Sequence, residues 1–308
     1  MQVILGAGGD IGTPLAKELR KHTDKIRLVA RNVQKVNPDD ELFAADLTNG
    51  ELVKKAIIDA EVVYLTVGFP YDVTIWRKNW PLVVDNVISA CLEHQTKLVF
   101  LDNVYMYDRT EIPHMKEDSK INPPSEKGKV RKIVLDKLTT AMQEQGLPVI
   151  IARSADFYGP GAKNGILNIL LLSPLKKGGK MMWQSNADKI HSFTYTPDAA
   201  KAVAMLGNTT DAYNQVWHLP TSSQKLTGRE FVKISSEMAN KKVSFFILKP
   251  WLMKIIGLFD KTMNNLVEMQ YQNTQDYFFD SSKFCERFDF TPTSYEAGMK
   301  ETFDYSKA

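Results

Sequence analysis

Short apolar runs alternate with longer amphipathic stretches through the first half of the chain. Val3-Ile4-Leu5 reads as a strand and Pro14 to His22 as the helix that follows it. Ile26 to Ala30 is a second strand, Leu42-Phe43-Ala44 a weak third, Val62 to Leu65 a fourth, Lys97 to Leu101 a fifth and Val149 to Ala152 a sixth. Between them lie a helix opened by a capping box at Thr48 and Glu51, a long amphipathic helix from Thr74 to Glu93, and a helix from Val130 to Gln145 closed by Gly146 and Pro148. Strands alternating with helices predict right-handed βαβ units on a parallel sheet.

The second half is less regular. Asn164 to Leu172 has a helical pattern that is expected to stop at Pro174, and Lys176 to Lys180 reads as a loop. Phe193-Thr194-Tyr195 and Val216 to Leu219 read as strands, Pro197 to Leu206 as a helix, and Thr227 with Glu230 as a second capping box. Phe245 to Phe259 reads as one or two amphipathic helices, serving in the core or as a lid; contact with a membrane surface is the alternative. The predicted class is α/β: a Rossmann-type doubly wound parallel sheet with a smaller, interwoven α+β substrate domain toward the C-terminal side. Residues 1–158 with 188–219 are assigned to the first domain, and 159–187 with 220–308 to the second.

Composition narrows the function classes. A chain of 308 residues, 44% hydrophobic and 24% charged, has core enough for this architecture. Its 39 basic and 36 acidic residues leave a net charge of +3, so no nucleic-acid partner is expected. Cys91 and Cys285 suggest no disulfide framework, which fits a reducing cytoplasm. The chain enters its first strand directly, so no signal peptide is expected, and no run is apolar enough to span a membrane, so no membrane partner is expected. His22, His94, His114, His191 and His218 are scattered, so no metal site is expected, and no G-x-S-x-G elbow occurs.

The candidate chemistry begins at Gly6-Ala7-Gly8-Gly9-Asp10-Ile11-Gly12, between the first strand and the first helix. Glycines there let backbone approach a pyrophosphate, and the helix N-terminus offers N–H groups and a favourable dipole. The loop therefore predicts a nicotinamide dinucleotide. The second strand ends Val29-Ala30-Arg31, without the acid that would bind a ribose 2′-OH, so NADP(H) is favoured over NAD(H), with Arg31 on the 2′-phosphate. Asp46, with Leu47 after it, is placed beside the adenine, and Thr66-Val67-Gly68 beneath the cofactor; Asp102, ending the fifth strand, is counted with them.

Together with this loop, several motifs resemble the short-chain dehydrogenase/reductase superfamily in its extended, NAD-dependent epimerase/dehydratase branch. They are Ala45-Asp46-Leu47, Asn86, Arg153-Ser154-Ala155-Asp156-Phe157-Tyr158-Gly159-Pro160-Gly161, Phe193-Thr194-Tyr195-Thr196-Pro197-Asp198 and Asp280-Ser281-Ser282-Lys283, with Pro292 and Gly298 beyond. The resemblance implies a Rossmann domain, a small-molecule substrate, and, since relatives often pair through long helices, a homodimer. It also implies a Ser or Thr after the fifth strand and a Tyr and Lys at Y-x-x-x-K spacing. Here Asn103 stands at the hydroxyl position, Lys127 at the Tyr and Arg131 at the Lys. Asn103 is read as an oxyanion donor, Arg131 as a ribose donor, and Lys127 or Tyr105 as the proton carrier. Nucleotide-sugar enzymes of the branch carry Arg-Asp where this chain has His191-Ser192, which removes a diphosphate clamp. His191 and Asp156 are the candidate substrate residues. The first reading is an NAD(P)-dependent oxidoreductase or epimerase; the alternative is a non-catalytic NADP(H)-binding redox sensor or partner-binding protein.

Overall fold

The computed structural model describes residues 1–240 and 244–305. Its strands are β1 (Gln2–Leu5), β2 (Ile26–Ala30), β3 (Glu41–Ala44), β4 (Val62–Leu65), β5 (Lys97–Asp102), β6 (Val149–Arg153), β7 (Asp156–Tyr158), β8 (Met181–Gln184), β9 (Phe193–Tyr195), β10 (Gln215–His218) and β11 (Phe245–Leu248). The helices used below are α1 (Gly12–Leu19), α2 (Gly50–Ala56), α3 (Val73–Glu93), α4 (Glu126–Gln143), α5 (Ser173–Lys176), α6 (Thr196–Gly207), α7 (Gly228–Met238), α8 (Pro250–Gly257) and α9 (Lys261–Val267). Among the described residues no helix is long and apolar enough to cross a membrane.

The chain divides into two compact units. The first comprises Met1–Tyr105, Lys127–Ser154 and Ala199–Leu219; the second comprises Met106–Glu126, Ala155–Asp198 and Pro220–Ala308. The first unit carries a seven-stranded sheet in the order β10-β6-β5-β4-β1-β2-β3, with every neighbouring pair parallel. Sheets of this kind are covered on both faces, so their central strands are apolar along their whole length. Accordingly every residue of β1, β4 and β6 is buried. The strand order reverses between β1 and β4, and the carboxyl ends of those two strands are where open α/β sheets take ligands.

The second unit pairs β7 with β9 and β8 with β11, both in parallel. Its core gathers Tyr158, Leu171, Trp183, Phe193, Phe231 and Tyr295. Glycines of the sequence motifs are fixed here by packing. A Cβ on Gly159 would stand 2.0 Å from Thr196 Oγ1, and one on Gly298 would stand 2.5 Å from the Tyr158 hydroxyl. Asp198, which ends the F-T-Y-x-x-D motif, accepts the Thr293 N–H at 2.7 Å and its hydroxyl at 3.1 Å.

Several expectations need correction. Thr48 does not cap α2; its hydroxyl donates to Asp46, and Asn49 is the cap, accepting the Leu52 N–H. The capping box at Thr227 and Glu230 is present as expected. The helical path after Asn168 continues through Pro174, because a proline in a first turn has no N–H to lose there. Helix α4 starts at Glu126 rather than Val130, where the carboxylate of Glu268 accepts the Glu126 N–H at 2.8 Å. Phe245 to Phe259 is not wholly helical: β11 pairs with β8 before α8 begins at Pro250.

The domain boundaries also move. Residues 106–126 belong with the second unit because Met115 donates to Phe278 O and Phe278 to Ile112 O, and Asp280 donates to Met115 O. Residues 188–198 join it because β9 pairs with β7 and not with the large sheet.

Gly6 and Gly8 both have positive φ, +101° and +88°, but only Gly6 lies against other backbone. A Cβ there would stand 2.5 Å from Val67 Cα, whereas Gly8 has open space. Gly8→Ala is therefore expected to cost only the conformational penalty, about 1–2 kcal/mol. Gly6→Ala should cost roughly 2–4 kcal/mol, since β1 and β4 must separate as well. Urea unfolding of the two variants checks the difference; equal losses would contradict it.

Candidate functional site

The glycine loop is held at its first two residues. Gly6 and Ala7 both donate to Val29 O, at 2.9 and 3.1 Å, which ties the loop to the end of β2. Gly12 packs beneath it, so that a Cβ there would stand 2.8 Å from Gly6 O. Gly8 and Gly9 are exposed, and Asp10 is half-buried. Helix α1 begins without a side-chain cap and without an acid in its first turn. Its N-terminus therefore keeps the partial positive charge that unsatisfied N–H groups and the helix dipole produce. A glycine loop packed this closely, leading into an uncapped helix at the strand-order reversal, fits a bound pyrophosphate.

The other expected cofactor residues surround this loop unevenly. Thr66 lies against it, with Oγ1 3.3 Å from Leu5 O and 3.4 Å from Gly6 O. Gly68 is exposed, while Thr66 and Val67 are half-buried. Ile11 and Leu47 are buried, so they offer backbone rather than side chain. Asn86 on α3 donates to Leu47 O at 2.9 Å and fixes the turn after β3. Asp46 is exposed, and its carboxyl is held below the usual carboxylate range by the Thr48 N–H and hydroxyl, with the Arg31 charge adding to this. Arg31 and Asp46 thus share the exposed rim beyond β2 and β3.

Asp102 and Arg131, expected to face the cofactor, are placed inside the fold instead. The Arg131 Nε lies 3.1 Å from Asp102 Oδ1, and its Nη2 also bonds that oxygen. Arg153, the cross-strand neighbour of Asp102, donates Nε to Oδ2 at 3.3 Å. The three residues are 2–3% exposed. Arg131 also lies 4.2 Å from the Trp80 ring centre and 4.9 Å from that of Phe100. Arg153, the first residue of the R-x-x-x-F-Y-G-P-G motif, is therefore part of a buried ion cluster.

One turn before Arg131 on α4, Lys127 is fully buried, and its Nζ lies 4.4 Å from the centre of the Tyr71 ring. The Tyr71 hydroxyl bonds that of Tyr105 at 3.4 Å, and Trp76 stacks on Tyr105. Asn103 Oδ1 accepts the Tyr105 N–H at 3.1 Å, an Asx turn that sets the path of the chain after β5. Asn103 thus serves Tyr105 through its carbonyl. Tyr71, Trp76 and Trp80 escape a sequence reading because aromatic residues around a helix start look like ordinary core; only the topology brings Tyr71 against Lys127, Trp76 against Tyr105 and Trp80 against Arg131.

In the second unit the two expected substrate residues meet. His191 Nε2 lies 2.9 Å from Asp156 Oδ2, and the imidazole stacks on Tyr277 with ring centres 4.2 Å apart. Near Asp156, burial pushes the Tyr271 hydroxyl above its ordinary range. Gln270 and Gln272, on either side of Tyr271, are buried, and neither side-chain nitrogen has a hydrogen-bond partner among the described residues. The polar run Gln270 to Gln275 reads as solvated loop, so no sequence signal points to these buried amides.

The model of the NAD dependent epimerase/dehydratase family matches residues 2–218. A UDP-N-acetyl-alpha-D-glucosaminuronate decarboxylase of Bacillus cytotoxicus is 22% identical over 221 residues, which cover 65% of this chain and 68% of that protein. Among solved structures, the UDP-glucuronic acid 4-epimerase of Bacillus cereus, in complex with UDP-glucuronic acid and NAD, superposes with a TM-score of 0.81. That pair is 18% identical over 99% of this chain and 98% of the other. The UDP-glucose 4-epimerase of Thermus thermophilus, in complex with NAD, gives 0.78 at 17% identity over 99% and 98% of the two chains.

The ion cluster makes a direct prediction. Asp102→Ala removes the buried carboxylate that Arg131 and Arg153 share, and is expected to cost roughly 3–5 kcal/mol in urea unfolding. A loss below about 1 kcal/mol, the size of a surface pair, would mean that the cluster does not hold α4 in place.

Proposed function

The chain belongs to the NAD dependent epimerase/dehydratase family, and from that membership we propose that it is an enzyme that binds a nicotinamide dinucleotide and catalyses hydride transfer with a small organic substrate. The observation that carries the reading is the glycine loop from β1 to α1, closed against Val67 and leading into an uncapped helix at the strand-order reversal. In this reading the N-terminal N–H groups of α1 hold the pyrophosphate, Asp46 the adenine, and the backbone of Thr66 to Gly68 the nicotinamide side. When bound, the dinucleotide supplies the hydride donor or acceptor.

Proton transfer falls to Tyr105. Its hydroxyl is joined to that of Tyr71 at 3.4 Å, so a proton given to or taken from substrate is exchanged along the pair. Lys127 sets a positive charge against the Tyr71 ring, where negative charge on the hydroxyl pair is attracted to it. Arg131 positions Lys127 through α4 and is not itself a catalytic residue. His191 and Asp156 present a partly buried polar pair to a substrate group. The relatives above act on UDP-sugars by their names, but His191-Ser192 puts an imidazole where a diphosphate would call for a guanidinium. A substrate without a pyrophosphate suits this chain better.

Two observations bear on the cofactor's 2′-phosphate, and they oppose each other. Exposed Arg31 and the lack of an acid ending β2 favour NADP(H); the similar solved structures named above carry NAD. A second reading, a non-catalytic NADP(H)-binding sensor, is favoured by the complete burial of Lys127 and the near-complete burial of Arg131.

Titration with NADPH and NADH, followed by nicotinamide fluorescence, tests the proposal. Binding of at least one is expected, and binding of neither removes it. If Arg31 selects the phosphate, Arg31→Ala weakens NADPH by about tenfold, the loss of one charge-assisted contact, and leaves NADH unchanged. A screen of carbonyl compounds and UDP-sugars for cofactor turnover then separates enzyme from sensor. Tyr105→Phe should lower kcat by about 10²–10⁴-fold while binding persists; unchanged turnover would remove Tyr105 from the chemistry.

A further inference from the structure

The segment expected to be a core or lid helix instead turns an apolar face outward. On α8, Trp251 and Ile255 are 59% and 49% exposed, and just beyond it Leu258 is 78% exposed and Phe259 90%. Positions 251, 255 and 258 fall at i, i+4 and i+7, one stripe of a helix, while Met253 on the opposite side is fully buried. Phe246 on the preceding strand β11 adds a further half-exposed ring. The exposed face of α8 is therefore its apolar face, the reverse of an ordinary surface helix.

The charges along this segment are basic. From Phe245 to Phe259 the chain carries Lys249 and Lys254 and no acid. Both lysines are exposed and neither enters an ion pair among the described residues. The nearest acid, Asp260, is committed to the N-terminus of α9, where it accepts the Met263 N–H at 2.7 Å. Aromatic and aliphatic side chains in one stripe, flanked by unpaired lysines, match the requirements of a helix lying in the plane of a lipid interface: rings and methyls enter the acyl boundary and ammonium groups stay among headgroups. A helix of eight residues is about 12 Å long, so it can lie on a bilayer but not cross one.

We propose that α8, with Leu258 and Phe259, docks the protein on an anionic lipid surface. Charge decides between this occupant and a second copy of the chain. Two copies meeting face to face would bring four ammonium groups together with only the Asp260 carboxylates, already bonded to the Met263 N–H, to offset them, whereas phosphatidylglycerol-type headgroups neutralise all four. The proposal is independent of the cofactor reading, because it uses none of the residues assigned to that site.

Co-sedimentation of the full chain with vesicles tests it. The chain is expected to pellet with phosphatidylcholine–phosphatidylglycerol vesicles, to pellet weakly with phosphatidylcholine alone, and to be released as salt is raised. Lys249→Gln with Lys254→Gln should weaken binding by about tenfold or more at low salt, given the attraction that each juxtamembrane lysine contributes. Leu258→Ser with Phe259→Ser should abolish binding, and because both residues are exposed the variant should keep the parent's Tm. No pelleting at low salt would overturn the proposal, as would equal binding by both variants. So would light scattering that finds a concentration-dependent dimer broken by Leu258→Ser with Phe259→Ser, which would assign the face to a second copy.

Discussion

The Asp102 carboxylate, shared between Arg131 and Arg153, is the contact on which the placement of α4 against β5 and β6 depends. Two guanidinium groups inside a protein carry a desolvation cost of several kcal/mol each, recovered only with good geometry and a counter-charge. Here the counter-charge sits at the end of β5, one guanidinium comes from α4 and the other from β6. The cluster therefore fixes where α4 stands on the sheet. Lys127 is on that helix one turn earlier, and Tyr105 follows the strand that supplies Asp102, so both inherit their places from it.

The same cluster changes how the family motifs are understood. Arg153 serves a buried ion pair, Gly159 and Gly298 make room for Thr196 and Tyr158, and Asp198 holds the backbone of Thr293. These residues make the resemblance recognisable, yet each of them is explained by a buried ion pair, by packing or by backbone satisfaction. Residues of this kind describe the scaffold and leave open which side chains meet a substrate. Membership in the family thus fixes the scaffold more tightly than it fixes the substrate.

The parallel sheet was legible because buried strands must be apolar throughout, and the runs at Val3, Val62 and Val149 have no other reading at that length. The glycine loop was legible because its spacing falls between a strand and a helix. What escaped were choices made by distant residues. Thr48 had two acceptable partners and took Asp46, and α4 gained its first turn from Glu268. Phe245 to Leu248 became a strand only because β8 was there to pair with it, which leaves α8 as the one helix of that stretch. The same holds for the Tyr71–Tyr105 pair and for Gln270 and Gln272, whose surroundings are assembled from segments far apart in sequence.

The seam of the large sheet bears on how the protein is made. Strand β10 ends at His218 and is the last to join β6, after the chain has left the first unit and returned to it twice. Until a ribosome has released that segment, β6 presents an unpaired and wholly buried-type edge, apolar but for its final Arg153. Such an edge invites pairing with other chains. Synthesis therefore passes through a long interval in which most of the sheet exists without its closing strand. Slower elongation, or a raised concentration of nascent chains, would be felt first as aggregation during that interval rather than as any loss of stability in the finished molecule.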